Sequence, residues 1–195
     1  MSTTTRSRII DLWATAFLYH SPDGHADYRD ALAALALGAP EADILAADDP
    51  AAIWLRSQIE EAARAFLDRW AGAIMREFNI VSRAVVLDHG EYRPLRNHPD
   101  AYLSGIYHIA VPPGLREDSH RSDVASNAIS FYDPRFAMNM GAIAGDPYVQ
   151  MEKTVRPEPG VLIVWPSFVD FFIHPNLSAA KKIAVHFKII PEAAA

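Results

Sequence analysis

The chain has 195 residues, half of them hydrophobic and 22% charged, with a net charge of −6. A chain of that length buries about 70% of its unfolded surface as one domain, and its scattered basic residues give no nucleic-acid footprint. It contains no cysteine, which excludes disulfides, thiolate metal sites, Fe–S clusters and a Cys nucleophile, and leaves His, Asp and Glu as metal ligands.

Along residues 1–20 an apolar run, Ile9–Tyr19, follows two arginines, but Asp11 interrupts it and no small-residue cleavage pattern follows. A signal peptide is not expected, and the run is too short to span a bilayer. The expectation is a soluble, cytoplasmic protein. Residues 26–37 are rich in Ala and Leu and end at Gly38, which predicts a helix with a glycine cap. Residues 39–49 read as a surface connection. Residues 50–72 predict the strongest helix, with Asp49 as N-cap and Pro50 in the first helical position. On that helix Ile59, Ala62, Ala63, Phe66, Leu67 and Trp70 recur at helical spacing, so one face should pack on something large.

After Gly72 short β-rich runs take over, at 79–87, 91–95, 102–111, 128–132, 150–155, 161–165, 169–173 and 183–190. Turn residues such as Asp88-His89-Gly90 and Pro112-Pro113-Gly114 separate them. Eight strands after a helical start predict a β-sandwich or barrel buttressed by helices. The domain reading is one unit, 1–195, with a helical part over 1–76 and a β core over 77–191. Residues 114–126 and 135–149 read as long loops, of the kind that form lids or binding loops.

Three segments carry a resemblance: Asn97-His98-Pro99-Asp100-Ala101-Tyr102-Leu103-Ser104-Gly105; Ile129-Ser130-Phe131-Tyr132-Asp133-Pro134-Arg135; and residues 155–167, followed by Pro175-Asn176-Leu177-Ser178 and Lys182-Ile183-Ala184-Val185-His186-Phe187. Together they resemble a bacterial family of Fe(II)/2-oxoglutarate oxygenases. The resemblance implies a mainly β chain with α, a double-stranded β-helix (jelly-roll or cupin-like) buttressed by N-terminal helices. It also implies Fe(II) and 2-oxoglutarate as cofactors, and an oxidoreductase that hydroxylates or desaturates a small-molecule substrate. Such chemistry needs two His and one carboxylate around the metal, and a basic residue for the far carboxylate of the co-substrate.

The chain departs from that pattern at three places. Where the family has His-x-His-Pro, it has Arg96-Asn97-His98-Pro99. His98 and Asp100 then offer a His-x-Asp pair, although Asp100 also reads as a solvated turn residue. The distal His position falls on Phe171, and the nearest histidine is His174, three residues on. Residues three apart in a strand face opposite sides, so His174 reads either as a ligand brought in by a bulge or a strand end, or as a rim histidine at the end of a strand. Lys182 stands where an Arg is expected; it can hold a carboxylate as a point charge, or form a plain surface pair with Lys181. The candidate metal ligands are therefore His98, Asp100 and His174, and the candidate co-substrate residues Lys182 and Arg135, the latter also readable as a partner of Asp133. His108 and His186, in strands, are candidate acid–base residues or satisfied barrel histidines. Two other functions stay open: an isomerase, cyclase or lyase with a rearranged or absent metal site, and a non-catalytic small-molecule-binding barrel. No nucleic-acid or membrane partner is expected, and a homo-oligomer is compatible with the sequence.

Overall fold

The computed structural model describes residues 14–70, 77–113, 125–135 and 150–192. The long-loop expectations over 114–126 and 135–149 fall largely outside them, as does the side chain of Trp70. Helix α1 runs His25–Gly38 and helix α2 Pro50–Trp70. Asp49 caps α2 as expected, its Oδ1 accepting from the Ala51 N–H at 2.8 Å. α1 starts differently, from Gly24 at φ 90 with no side-chain cap. The helix includes Gly38, and the Ala39 N–H closes it onto the Leu35 carbonyl.

Among the described residues nine strands follow one another: β1 (Leu18–His20), β2 (Phe78–Leu87), β3 (Arg93–Arg96), β4 (Leu103–Ala110), β5 (Ile129–Tyr132), β6 (Glu152–Val155), β7 (Leu162–Pro166), β8 (Phe171–Ile173) and β9 (Lys182–Pro191). They form two antiparallel sheets, ordered β1-β7-β4-β9-β2 and β3-β8-β5-β6. Eight of the nine match the runs read from the sequence. β1 was not foreseen; it is three residues long and is stabilised by pairing with β7.

The period of two along β4 and β9 divides the larger sheet into two apolar faces. Leu103, Tyr107, Ile109, Leu162, Val164, Val185 and Phe187 pack outward against Leu32, Leu55, Ile59 and Phe66 of the helices. Ile106, Ile163, Trp165 and Ala184 face inward, against Ile129, Phe131, Phe171 and Ile173 of the smaller sheet. Each fully buried Ile, Leu or Phe contributes about 1.5–3 kcal/mol, so the helical layer is held by burial on the sheet's outer face. A hydrogen bond fastens the same layer, the Tyr107 hydroxyl lying 2.6 Å from His25 Nδ1.

The segment read as a surface connection does more than connect. The Glu41 N–H donates to the Ala84 carbonyl and the Ala84 N–H to the Ala42 carbonyl, covering the open edge of β2. Pro175-Asn176-Leu177-Ser178 also has a structural task. Buried Asn176 donates from Nδ2 to the carbonyls of Leu87 and Ala180, and its Oδ1 accepts from the Ser178 N–H. The turn before β9 is thereby tied to the end of β2.

Gly105 sits where β4 crosses under a packed aromatic ring: a Cβ there would fall inside the Phe187 side chain, which is only 1% exposed. Gly105→Ala should therefore lower stability by about 1–3 kcal/mol, the usual cost of overpacking. At roughly 2–4 °C per kcal/mol for a chain of this size, a thermal melt should show a loss of several degrees. An unchanged melting temperature would show that the ring moves aside freely.

Candidate functional site in the barrel interior

The inward positions of β4, β9, β3 and β8 bring the unusual side chains together. Across β4 and β9, Ser104 faces Lys188, Ile106 faces His186 and His108 faces Ala184. Across β2 and β9, Arg83 faces His186 and Leu87 faces Lys182. In the smaller sheet Arg96 is paired with Phe171. The interior thus carries two polar groups: one near the mouth, of Arg96, His98, Ser104 and His186, and one deeper, of His108, Lys182 and Asn127.

At the mouth the Arg96 guanidinium lies over the Phe171 ring, 5.4 Å from its centroid, a cation–π contact. His98 packs edge-on against the same ring at 5.4 Å, and His186 stands 6.4 Å from it. His98 Nδ1 is hydrogen-bonded to the buried Ser104 hydroxyl at 2.8 Å. Burial first, and then the charges of Arg96 and Lys188, hold the His98 pKa down to about 4. Burial likewise holds His186 well below its usual value, with Arg96 the largest charge acting in the same direction. Both rings are neutral at pH 7. Arg83, Arg96, His98, His186 and Lys188 border a cavity of about 320 Å³ that no Asp or Glu among the described residues lines.

In the deeper group Lys182 is 2% exposed and donates from Nζ to the Asn127 carbonyl at 2.7 Å. The surface-pair alternative is thereby corrected: Lys181 is the exposed lysine, paired with Asp88 at 2.5 Å, and Lys182 points inward. Desolvation holds its pKa down to about 7. Next to it His108 is fully buried with neither ring nitrogen hydrogen-bonded. Burial, then Lys182, keeps it neutral.

The three candidate metal ligands do not converge. Asp100 is at the surface, where Lys188 Nζ donates to Oδ2 at 2.5 Å; that bond is the main cause of its lowered pKa. His174 lies on the other face of β8 from Phe171. No bulge intervenes, since the register runs evenly from Phe131↔Phe171 to Ile129↔Ile173. Its Nδ1 accepts from the Ala125 N–H at 3.3 Å, so Nε2 carries the proton toward the Ser130 hydroxyl at 2.8 Å. Arg135, beyond the end of β5, forms a forked pair with Asp133 at 2.5–3.1 Å. Among the described residues no group of three or more His, Asp or Glu could hold a metal. The residues present do not fit a facial triad: a guanidinium and a phenyl ring fill the corner beside His98.

A sequence profile of the family described as "Putative 2OG-Fe(II) oxygenase" matches residues 82–188, more than half of the chain. The chain belongs to this family. Its relation to the 2OG-Fe(II) oxygenases extends to the fold, a double-stranded β-helix. AviO1 from Streptomyces viridochromogenes Tue57 superposes with a TM-score of 0.62 and 12% identity, covering 93% of this chain and 92% of its own. A prolyl-4-hydroxylase from Pseudomonas putida gives 0.60 and 11%, covering 92% and 89%. HygX from Streptomyces hygroscopicus, in a structure with nickel and 2-oxoglutarate bound, gives 0.59 and 10%, covering 91% and 82%. No curated protein matches the sequence. No helix among the described residues is long and apolar enough to cross a membrane. The chain is thus an oxygenase-like member of an oxidoreductase family, with an altered metal corner.

In the sequence Arg96 stands out only as a missing histidine, yet strand pairing makes it a site residue. Its signal was position: a residue paired inward with Phe171 brings its charge into the barrel, whatever its type.

The buried lysine gives a pH test. A free lysine titrates near 10.4, so between about pH 7 and 10 the unfolded chain holds a proton that folded Lys182 releases. Stability from this group therefore rises with pH across that window and is lost on going down through it. The urea midpoint of the parent should climb relative to Lys182→Met between pH 7 and 10. A constant difference between the two would show that Lys182 is not held inside as an uncharged amine.

Proposed function

We propose that this oxygenase-family member binds a small molecule in its barrel mouth without assembling the iron centre of the family. The observation that supports the reading is the pairing of Arg96 with Phe171 beside His98. A metal cation and a guanidinium in one corner repel each other, and a phenyl ring offers no lone pair. The neutral imidazoles favour binding over proton transfer. A general base works best with a pKa near the operating pH, and His98 is held far below it. The deeper group would close the pocket, with Lys182 and His108 as polar floor.

A second reading keeps iron and 2-oxoglutarate, with hydroxylation or desaturation of a small molecule. The family match favours it, because residues 82–188 include His98, Asp100, Arg135, His174 and Lys182. In that reading His98 is a ligand and Lys182 holds the far carboxylate of the co-substrate.

Anaerobic titration with Fe(II) and 2-oxoglutarate, followed by exposure to O₂ and measurement of succinate, separates the two. Under the first reading the parent takes up no stoichiometric iron and releases no succinate above the protein-free rate. Stoichiometric iron and sustained succinate release that is lost in His98→Ala would establish the second. A complementary gain is also expected. Directly paired strand residues have Cβ atoms about 4.5–5.5 Å apart, so the double variant Arg96→His, Phe171→His should acquire Co(II) or Ni(II) binding at micromolar concentration. The parent should show none in the same spectroscopic titration.

A further inference from the structure

We propose that the Arg96 guanidinium, with the ring nitrogens of His98 and His186, forms a binding site for the carboxylate of a small organic acid. The inference rests on the reading of the barrel as a binder without iron, and it names the ligand class.

Buried nitrogens that have no hydrogen-bond partner carry the argument. Arg96 Nε and His186 Nε2 are both inaccessible to solvent and have no hydrogen-bond partner. His186 itself is only 7% exposed. A buried, unpaired polar group costs about 1–3 kcal/mol, and two of them bordering one cavity is an arrangement that an acceptor would relieve. Arg96 forms no ion pair among the described residues, whereas each of its cationic neighbours has a carboxylate within reach. Arg83 and Arg93 share Glu41, and Lys188 holds Asp100. Four cations against two carboxylates leave an excess of positive charge at the mouth, which suits an anionic ligand. The planar guanidinium also matches the two oxygens of a carboxylate. Its plane is supported from behind by Phe171, with Trp165 5.2 Å beyond.

The chain as a whole has a net charge of −6, so a cavity lined by Arg83, Arg96, His98, His186 and Lys188, with no acid among its described lining residues, is not a general property of its surface. At about 320 Å³ the cavity is at the small end of ligand pockets. It would take a compact acid, with Val81 as an apolar contact for the body of the molecule.

The test uses full-length protein treated with EDTA, so that no metal contributes. Acetate, benzoate and succinate are titrated by calorimetry beside acetamide and benzamide, which keep the shape and lose the charge. At least one carboxylate should bind tenfold or more tightly than its amide. Arg96→Gln should weaken that carboxylate at least tenfold, and Arg96→Lys by less, because it keeps the charge and loses the fork. Arg56→Gln, on the exposed face of α2, should bind like the parent. Equal binding of acid and amide, no binding by any of the three acids, or full binding by folded Arg96→Gln would each overturn the proposal. If Arg96→Gln does not fold, the acid–amide comparison decides alone. Iron-dependent succinate release would overturn the earlier reading instead, and is measured separately without EDTA.

Discussion

The antiparallel pairing of β4 with β9 in the middle of the five-stranded sheet sets the positions on which both the packing and the candidate site depend. Because Ile106 lies opposite His186 and His108 opposite Ala184, alternate residues of each strand are committed either to the helical layer or to the interior. A slip of one residue would turn Tyr107, Val185 and Phe187 inward and put His108 and His186 against the helices. Such a slip is opposed by the close seat of Phe187 over Gly105 and by the Tyr107–His25 contact. Packing on the outer face therefore fixes the chemistry of the inner one.

Among the described residues, what the inner face then contains is nitrogen without carboxylate. Arg96, His98, His108, Lys182 and His186 are all inside or at the mouth, while Asp100, Asp133 and Glu41 are spent on ion pairs at the surface. Burial answers part of the resulting problem by neutralising the titratable groups, as the lowered pKa values of His98, His108, Lys182 and His186 show. An arginine has no such outlet, since it stays charged in proteins. The Phe171 ring supplies a face for its guanidinium in place of an anion. Two departures from the family pattern, an arginine for a histidine and a phenylalanine for another, thus form one mutually supporting pair.

The same economy explains His174. One residue past the end of β8, it lies on the opposite face from Phe171, where Ser130 and the Ala125 N–H engage both ring nitrogens. Asn176, two residues further on, uses its amide to fasten the turn. Residues near an expected ligand position in sequence are here occupied with holding the sheet together.

The sequence by itself determined the layers. Helical spacing at Ile59, Phe66 and their neighbours, and the turn-punctuated β runs after Gly72, specified helices packed on a barrel, because burial patterns with periods of 3.6 and 2 are local properties of a chain. It also showed where the family's pattern is broken, at Arg96, Phe171 and Lys182. It did not decide what replaced that pattern. Whether Asp100 turned in or out depended on Lys188, 88 residues away, and whether Lys182 or Lys181 entered the barrel depended on register with β2. Arg96 became a site residue only through its pairing with Phe171 across β3 and β8. Those are long-range contacts between strands distant in sequence, and only the closed pair of sheets brings them together.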